Sequence, residues 1–123
     1  MSSGGLSCPY MSISYEDFEK VDIRVGKVVE VGDFPEARKP AFKLKIDFGP
    51  EIGTKSSSVQ AVGAHTKDEL EGMLVVCVVN FEPKIIAGFK SEVLTLGFKK
   101  TDGDGWVLVR PAKDSVKIGD RLQ

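Results

Sequence analysis

Residues 41–49, AFKLKIDFG, alternate without a break. Phe42, Leu44, Ile46 and Phe48 fall on one side of an extended chain; Lys43, Lys45 and Asp47 fall on the other. Successive side chains of a strand point to opposite faces. The segment is therefore predicted to be a strand with one face in a core and the other in water. Residues 73–81, MLVVCVVNF, impose a different constraint, because they do not alternate at all. Both faces of such a strand should be covered. One face can fill a barrel interior, and the other needs a helix or a second subunit.

The remaining segments fit around these two. SYEDFEK, 14–20, reads as a short helix in which Ser14 caps the start and Asp17 stands at the capping-box position. In VDIRVGKVVEV, 21–31, Val21, Ile23 and Val25 alternate with Asp22 and Arg24. Gly26 then interrupts, Lys27 falls where an apolar residue is due, and Val29 and Val31 restore the phase. A glycine inside a long strand points to a bulge or a bend, and a bent strand can serve the two sides of a small closed barrel. DFPEARKP, 33–40, is a loop, and TKSSSVQAV, 54–62, a more polar strand. In HTKDELEG, 65–72, Thr66 and Glu69 have capping-box spacing, and Gly72 is placed to end a very short helix. SEVLTLGF, 91–98, reads as a fifth strand; TDGDG as a turn; WVLVRP, 106–111, as a last short strand. Residues 1–12 are rich in Ser and Gly, lack periodicity and are expected to be a disordered extension, leaving 13–123 as one domain. The expected class is all-β with short helices: a five-stranded OB-fold barrel with N- and C-terminal extensions, in which a short helix separates the third and fourth strands.

Charge is unevenly spread. Residues 1–37 carry 3 basic and 7 acidic side chains, whereas residues 38–100 carry 10 and 7. An anionic partner would meet the middle of the chain. Strands two and three and their bounding loops are where OB-folds hold oligomeric ligands, so Arg38, Lys39, Lys43 and Lys45 are candidate contacts. The loop after residue 80 adds Phe81, Lys84, Phe89 and Lys90, which join apolar area to positive charge. That pairing suits a peptide with apolar and acidic side chains, and it suits stacked bases. The bland reading of the same residues is a solvated lysine face and packed phenylalanines.

His65 has no cluster of ligating residues around it in sequence and is expected at the surface near a helix start. Cys77, inside an apolar run, reads as a small core residue, and Cys8 as incidental. Neither cysteine belongs to a zinc or redox motif, so a reducing cytoplasm is expected. No catalytic group set, metal site, cofactor motif, secretory signal or membrane-spanning run stands out, so neither an enzyme nor an inserted membrane protein is expected.

Two blocks, VDIRVGKVVEVGDFPEARKPAFKLKIDFG and VVNFEPKIIAGFKSEVLTLG, resemble the tRNA-binding-domain family. FPEARKPAFKLKIDFG and IAGFKSEVL are similar to its free-standing, CsaA-type secretion-chaperone branch. The resemblance implies an OB-fold homodimer without catalytic chemistry. It implies binding of unfolded or presecretory polypeptides in the cytoplasm, with tRNA as the alternative partner. It also carries two family tRNA-binding positions onto Asn80 and Ser91, the latter followed here by Glu92 and Val93 where the wider family commonly has Gly-Met.

Overall fold

The first strand organises the barrel. A computed structural model describes residues 11–123; the expectation for 1–12, up to residue 10, and the reading of Cys8 lie outside the described residues. The elements are α1 (Tyr15–Glu19), β1 (Ile23–Asp33), β2 (Phe42–Asp47), β3 (Thr54–Val59), α2 (Lys67–Leu70), β4 (Leu74–Val78), β5 (Lys84–Ile86), β6 (Phe89–Ser91), β7 (Leu94–Thr95), β8 (Gly97–Lys99) and β9 (Trp106–Leu108). β1 is long enough to pair along its second half with β2 and along its first half with β4; Lys27 lies opposite both Asp47 and Leu74. The resulting antiparallel sheet has the order β3-β2-β1-β4-β7. Its two edges then meet. Ser57 Oγ lies 2.8 Å from Thr95 Oγ1, and Glu92 N donates to Ser56 O at 2.8 Å. The product is a five-stranded, nearly closed barrel of the OB-fold type, as the strand order predicts.

The alternation in β2 is realised as read: Phe42, Leu44 and Ile46, with Phe48 just beyond, point inward and are buried. Val28, Val75, Cys77 and Val93 meet them from the other strands. Leu70, the one buried residue of α2, joins the same core. Both helices carry complete capping boxes, Ser14 with Asp17 and Thr66 with Glu69. These reciprocal bonds satisfy N–H groups that a four- or five-residue helix would otherwise leave free. Burial pushes the Cys77 thiol up to about 12, offset in part by Thr95.

β1 departs from the sequence reading in one respect. Gly26 is a close approach, not a bulge: a Cβ there would stand 2.5 Å from Ile46 Cγ2. The irregularity comes later, between Val28 and Glu30. Val29 is the extra residue and is exposed, while Val28, not Val29, fills the core. Lys27 does not break the pattern; it is simply on the outer face. The expected fifth strand over 91–98 is also interrupted. Glu92 and Val93 leave its line to bond Ser56 O of β3, so β6, β7 and β8 replace one continuous strand.

The outer face of β4 remains only partly covered. By register, Leu94, Val78 and Ile23 form a row across three strands, with Val76 beside Val25 in the next. Val25 and Val78 are buried, but Leu74 and Val76 are half-buried and Leu94 is exposed. The C-terminal segment takes up the edge of β1 that β2 leaves open: Gly119 N donates to Val25 O, Val25 N to Asp120 O, and Leu122 N to Ile23 O. Asp22 stands between Arg24 and Arg121 at the same place. Its hydrogen bond to Arg24 raises that guanidinium further above its ordinary value.

Candidate functional site

The chain between Asn80 and Ser91 is not an open loop. β5 and β6 pair as a hairpin, Lys84 opposite Ser91, Ile85 opposite Lys90 and Ile86 opposite Phe89. Ala87 and Gly88 make its two-residue turn, both with positive φ (48° and 82°). A turn of that type matches the twist of the flanking strands. Alanine in the left-handed region costs roughly 1 kcal/mol or more, so this tip holds some strain.

The register divides the expected site. Lys84, Ile86, Phe89 and Ser91 share one side of the hairpin; Ile85 and Lys90 share the other. The structure therefore does not gather Phe81, Lys84, Phe89 and Lys90 on one surface. Phe81, 56 % exposed, precedes the hairpin altogether. Phe89 turns inward onto Phe34, their rings edge to face with centroids 5.4 Å apart.

Lys43 and Lys45 do share the outer face of β2, but they differ. Lys45 is exposed, with Glu30 directly across on β1. Lys43 is half-buried, its Nζ 4.7 Å from the centre of the Phe34 ring and 5.3 Å from that of Phe89. A cation there is held by the negative faces of two rings. Arg38 and Lys39 are exposed on the loop between β1 and β2.

Asn80 and Ser91 both hold backbone together. Asn80 Oδ1 accepts from Asp22 N at 3.0 Å, and its Nδ2 donates to Lys20 O at 2.7 Å. These bonds tie the end of β4 to the link between α1 and β1. Ser91 Oγ accepts from Ser58 N at 3.1 Å. Glu92 is also committed: its Oε1 accepts from Ser56 N and Ser56 Oγ at 3.0 and 2.9 Å. The backbone N–H of Ser56 draws its carboxyl below the usual value, against the opposing pull of burial and with help from the Ser56 hydroxyl.

His65 corrects the sequence reading. Its side chain is buried, and Nε2 accepts from Leu108 N at 3.1 Å, which places the proton on Nδ1, 3.4 Å from Glu69 Oε2. It fixes β9 to the start of α2. Its burial could not be inferred from its neighbours in sequence, because the partner lies 43 residues away.

A groove of about 1010 Å³ opens where five segments converge. Its floor and walls are mainly apolar: Ala41, Val59, Ile86, Leu96, Trp106 and Leu108. Arg38 and Lys39 stand at its margin. Of the residues singled out from sequence, only these two line it. Trp106, the single tryptophan, was not among them, although a lone, half-exposed tryptophan opening a strand is the kind of side chain that anchors ligands. Among the described residues no group of three or more His, Cys, Asp or Glu is placed to hold a metal ion.

Residues 23–121 match the family described as "putative tRNA binding domain". The chain belongs to that family. As a member of the tRNA-binding-domain family, it is 36% identical over 111 residues to the methionine–tRNA ligase of Thermococcus onnurineus, an alignment that takes in 90% of this chain. The chain spans about 14% of the length of that relative. Among solved structures it is similar to a CsaA chaperone protein from Picrophilus torridus, with 52% identity, a TM-score of 0.81, and coverage of 91% of this chain and all of that one. It is also similar to chaperone CsaA of Bacillus anthracis, with 42% identity, a TM-score of 0.83, and coverage of 92% and 100%.

Proposed function

We propose that this domain is a non-catalytic, cytoplasmic polypeptide chaperone that works as a homodimer and holds unfolded or presecretory chains. The observation that carries the reading is the groove: apolar over most of its wall, large enough for several side chains, and bordered by Arg38 and Lys39. Apolar side chains of a client gain by leaving water. Acidic residues beside them meet the two cations. Likeness to CsaA chaperones over their full length supports the same reading. The half-covered outer face of β4, with Leu74 and Val76, is the surface on which a second copy would dock. Among the described residues no helix is long and apolar enough to cross a membrane.

A second reading is tRNA binding, favoured by the family match over residues 23–121. Its contacts would be Arg38, Lys39, Lys45, Lys84 and Lys90, which are exposed. Phosphate contacts release counterions, so this binding should fall steeply with salt.

Trp106 makes the test direct, because it lies in the groove and is the only tryptophan. The purified protein is titrated with an apolar-acidic peptide and with bulk tRNA at two salt concentrations, following tryptophan emission. The expected result is saturable peptide binding that shifts the emission and weakens less with salt than tRNA binding does. Saturable tRNA binding with no peptide response would overturn the chaperone reading.

A further inference from the structure

The structure assigns to Phe34, Phe89 and Lys43 the role of a latch that fixes the tip of the β5–β6 hairpin to the β1–β2 loop, with Lys43 as a positioning residue instead of a phosphate contact. The base of the hairpin has its own anchors. Ser91 Oγ bonds Ser58 N, Ser56 Oγ donates to Lys90 O at 2.7 Å, and Glu92 bonds Ser56. The tip has none of these. Ile86 and Phe89 flank the strained Ala87–Gly88 turn, and Ile85, Ala87 and Gly88 are exposed. Two strands of three residues are not stable alone. What holds the tip is the Phe89 ring against Phe34, which is only 4 % exposed and so belongs to the body of the domain. Lys43 reaches from β2 to both rings.

The place matters because the two latched segments both line the groove. Ala37, Arg38 and Lys39 follow Phe34 on one, and Ile86 and Ala87 precede Phe89 on the other. The latch holds them at a fixed separation. Its link to client binding rests on the chaperone reading above; its effect on the hairpin does not.

The test is native-state hydrogen exchange on the full chain without ligand, comparing Lys43→Met, Lys43→Arg and Phe89→Leu. Lys43→Met removes the cation but keeps the stem, and should speed exchange of the hairpin amides roughly two- to fivefold. Phe89→Leu keeps apolar bulk but loses the edge-to-face ring contact, and should speed it by about two- to tenfold. Amides of β1, β2 and β4 should not change, and Lys43→Arg should behave as wild type, since a guanidinium also binds ring faces. Lys43→Met should weaken peptide binding yet leave the salt slope of tRNA binding unaltered; a phosphate contact would lower that slope by about 1. Unchanged hairpin exchange in Lys43→Met overturns the latch, and so does a lowered tRNA slope. If Phe89→Leu fails to fold, Lys43→Met, at a half-buried surface position, still decides the matter. Faster hairpin exchange with unchanged peptide affinity keeps the latch and overturns only its link to client binding; loss of all peptide binding in the wild type overturns the chaperone reading.

Discussion

Gly26→Ala isolates the reason for a glycine in the middle of β1. The added methyl would meet Ile46 Cγ2 at 2.5 Å and the Phe48 ring at 2.7 and 2.8 Å. Carbon atoms prefer about 3.5–4.0 Å, so each contact overlaps by roughly 1 Å. Neither neighbour can retreat into water, because both are completely buried inside the barrel. Overpacking of this kind costs about 1–3 kcal/mol. Three overlaps against two enclosed side chains argue for the upper end, about 3 kcal/mol, lessened by up to about 1 kcal/mol because alanine has less freedom to lose than glycine. A net loss near 2 kcal/mol should lower Tm by about 10 °C in a domain of this size. Urea denaturation followed by circular dichroism should show a lower midpoint with an unchanged slope. The decisive measurement is a double-mutant cycle with Ile46→Ala. That change alone should cost about 2–5 kcal/mol through its cavity, but the Gly26→Ala methyl would fill part of the space. The pair should then cost at least about 1 kcal/mol less than the sum. Strict additivity, or a Gly26→Ala protein as stable as wild type, would refute the close-approach argument and return Gly26 to the role of a backbone bend.

Asn80→Ala should cost about 1 kcal/mol in urea denaturation, since water partly replaces its two exposed backbone bonds. It should leave tRNA binding unaltered; a large loss of tRNA affinity at unchanged stability would restore Asn80 as a ligand contact. Glu92 has a folded-state value lowered from 4.5, so its charge contributes stability that is present above that value and is lost as pH falls through the lowered one. Glu92→Gln should therefore be less stable than wild type near neutral pH, and the gap should close as the pH drops below 4.5; a gap that stays constant with pH would refute the ionic role.

The parts of this fold that follow from local period were legible in the sequence. The inward set of β2 is read directly from its alternation, and both capping boxes from their spacing. The phase of β1 was misread because a bulge at Val29 absorbs one residue, and nothing in a run of valines marks which one is extra. The break in the 91–98 strand has its cause in Ser56, 36 residues before Glu92, which draws Glu92 and Val93 out of line. The same holds for the site. A lysine on an outer face can be named from sequence, but whether it is free, like Lys45, or held over two rings, like Lys43, depends on Phe34 and Phe89 arriving from different segments. The groove is beyond local reading altogether, because no one segment supplies more than part of its wall.

The C-terminal segment on β1 has a consequence for how the domain is made. Arg24 bonds Gly119 O across 95 residues, and Arg121 bonds Glu19 O across 102. At equilibrium so long a loop costs little more than a shorter one, about 0.6 kcal/mol for each doubling of length. In time the difference is large, because contacts distant in sequence form late. During synthesis at about 5–20 residues per second, the first half of β1 leaves the ribosome seconds before its edge partner exists. Until then the nascent barrel presents the backbone edge of Ile23 and Val25 uncovered. The domain thus passes through a short unfinished state of its own before its last residues arrive.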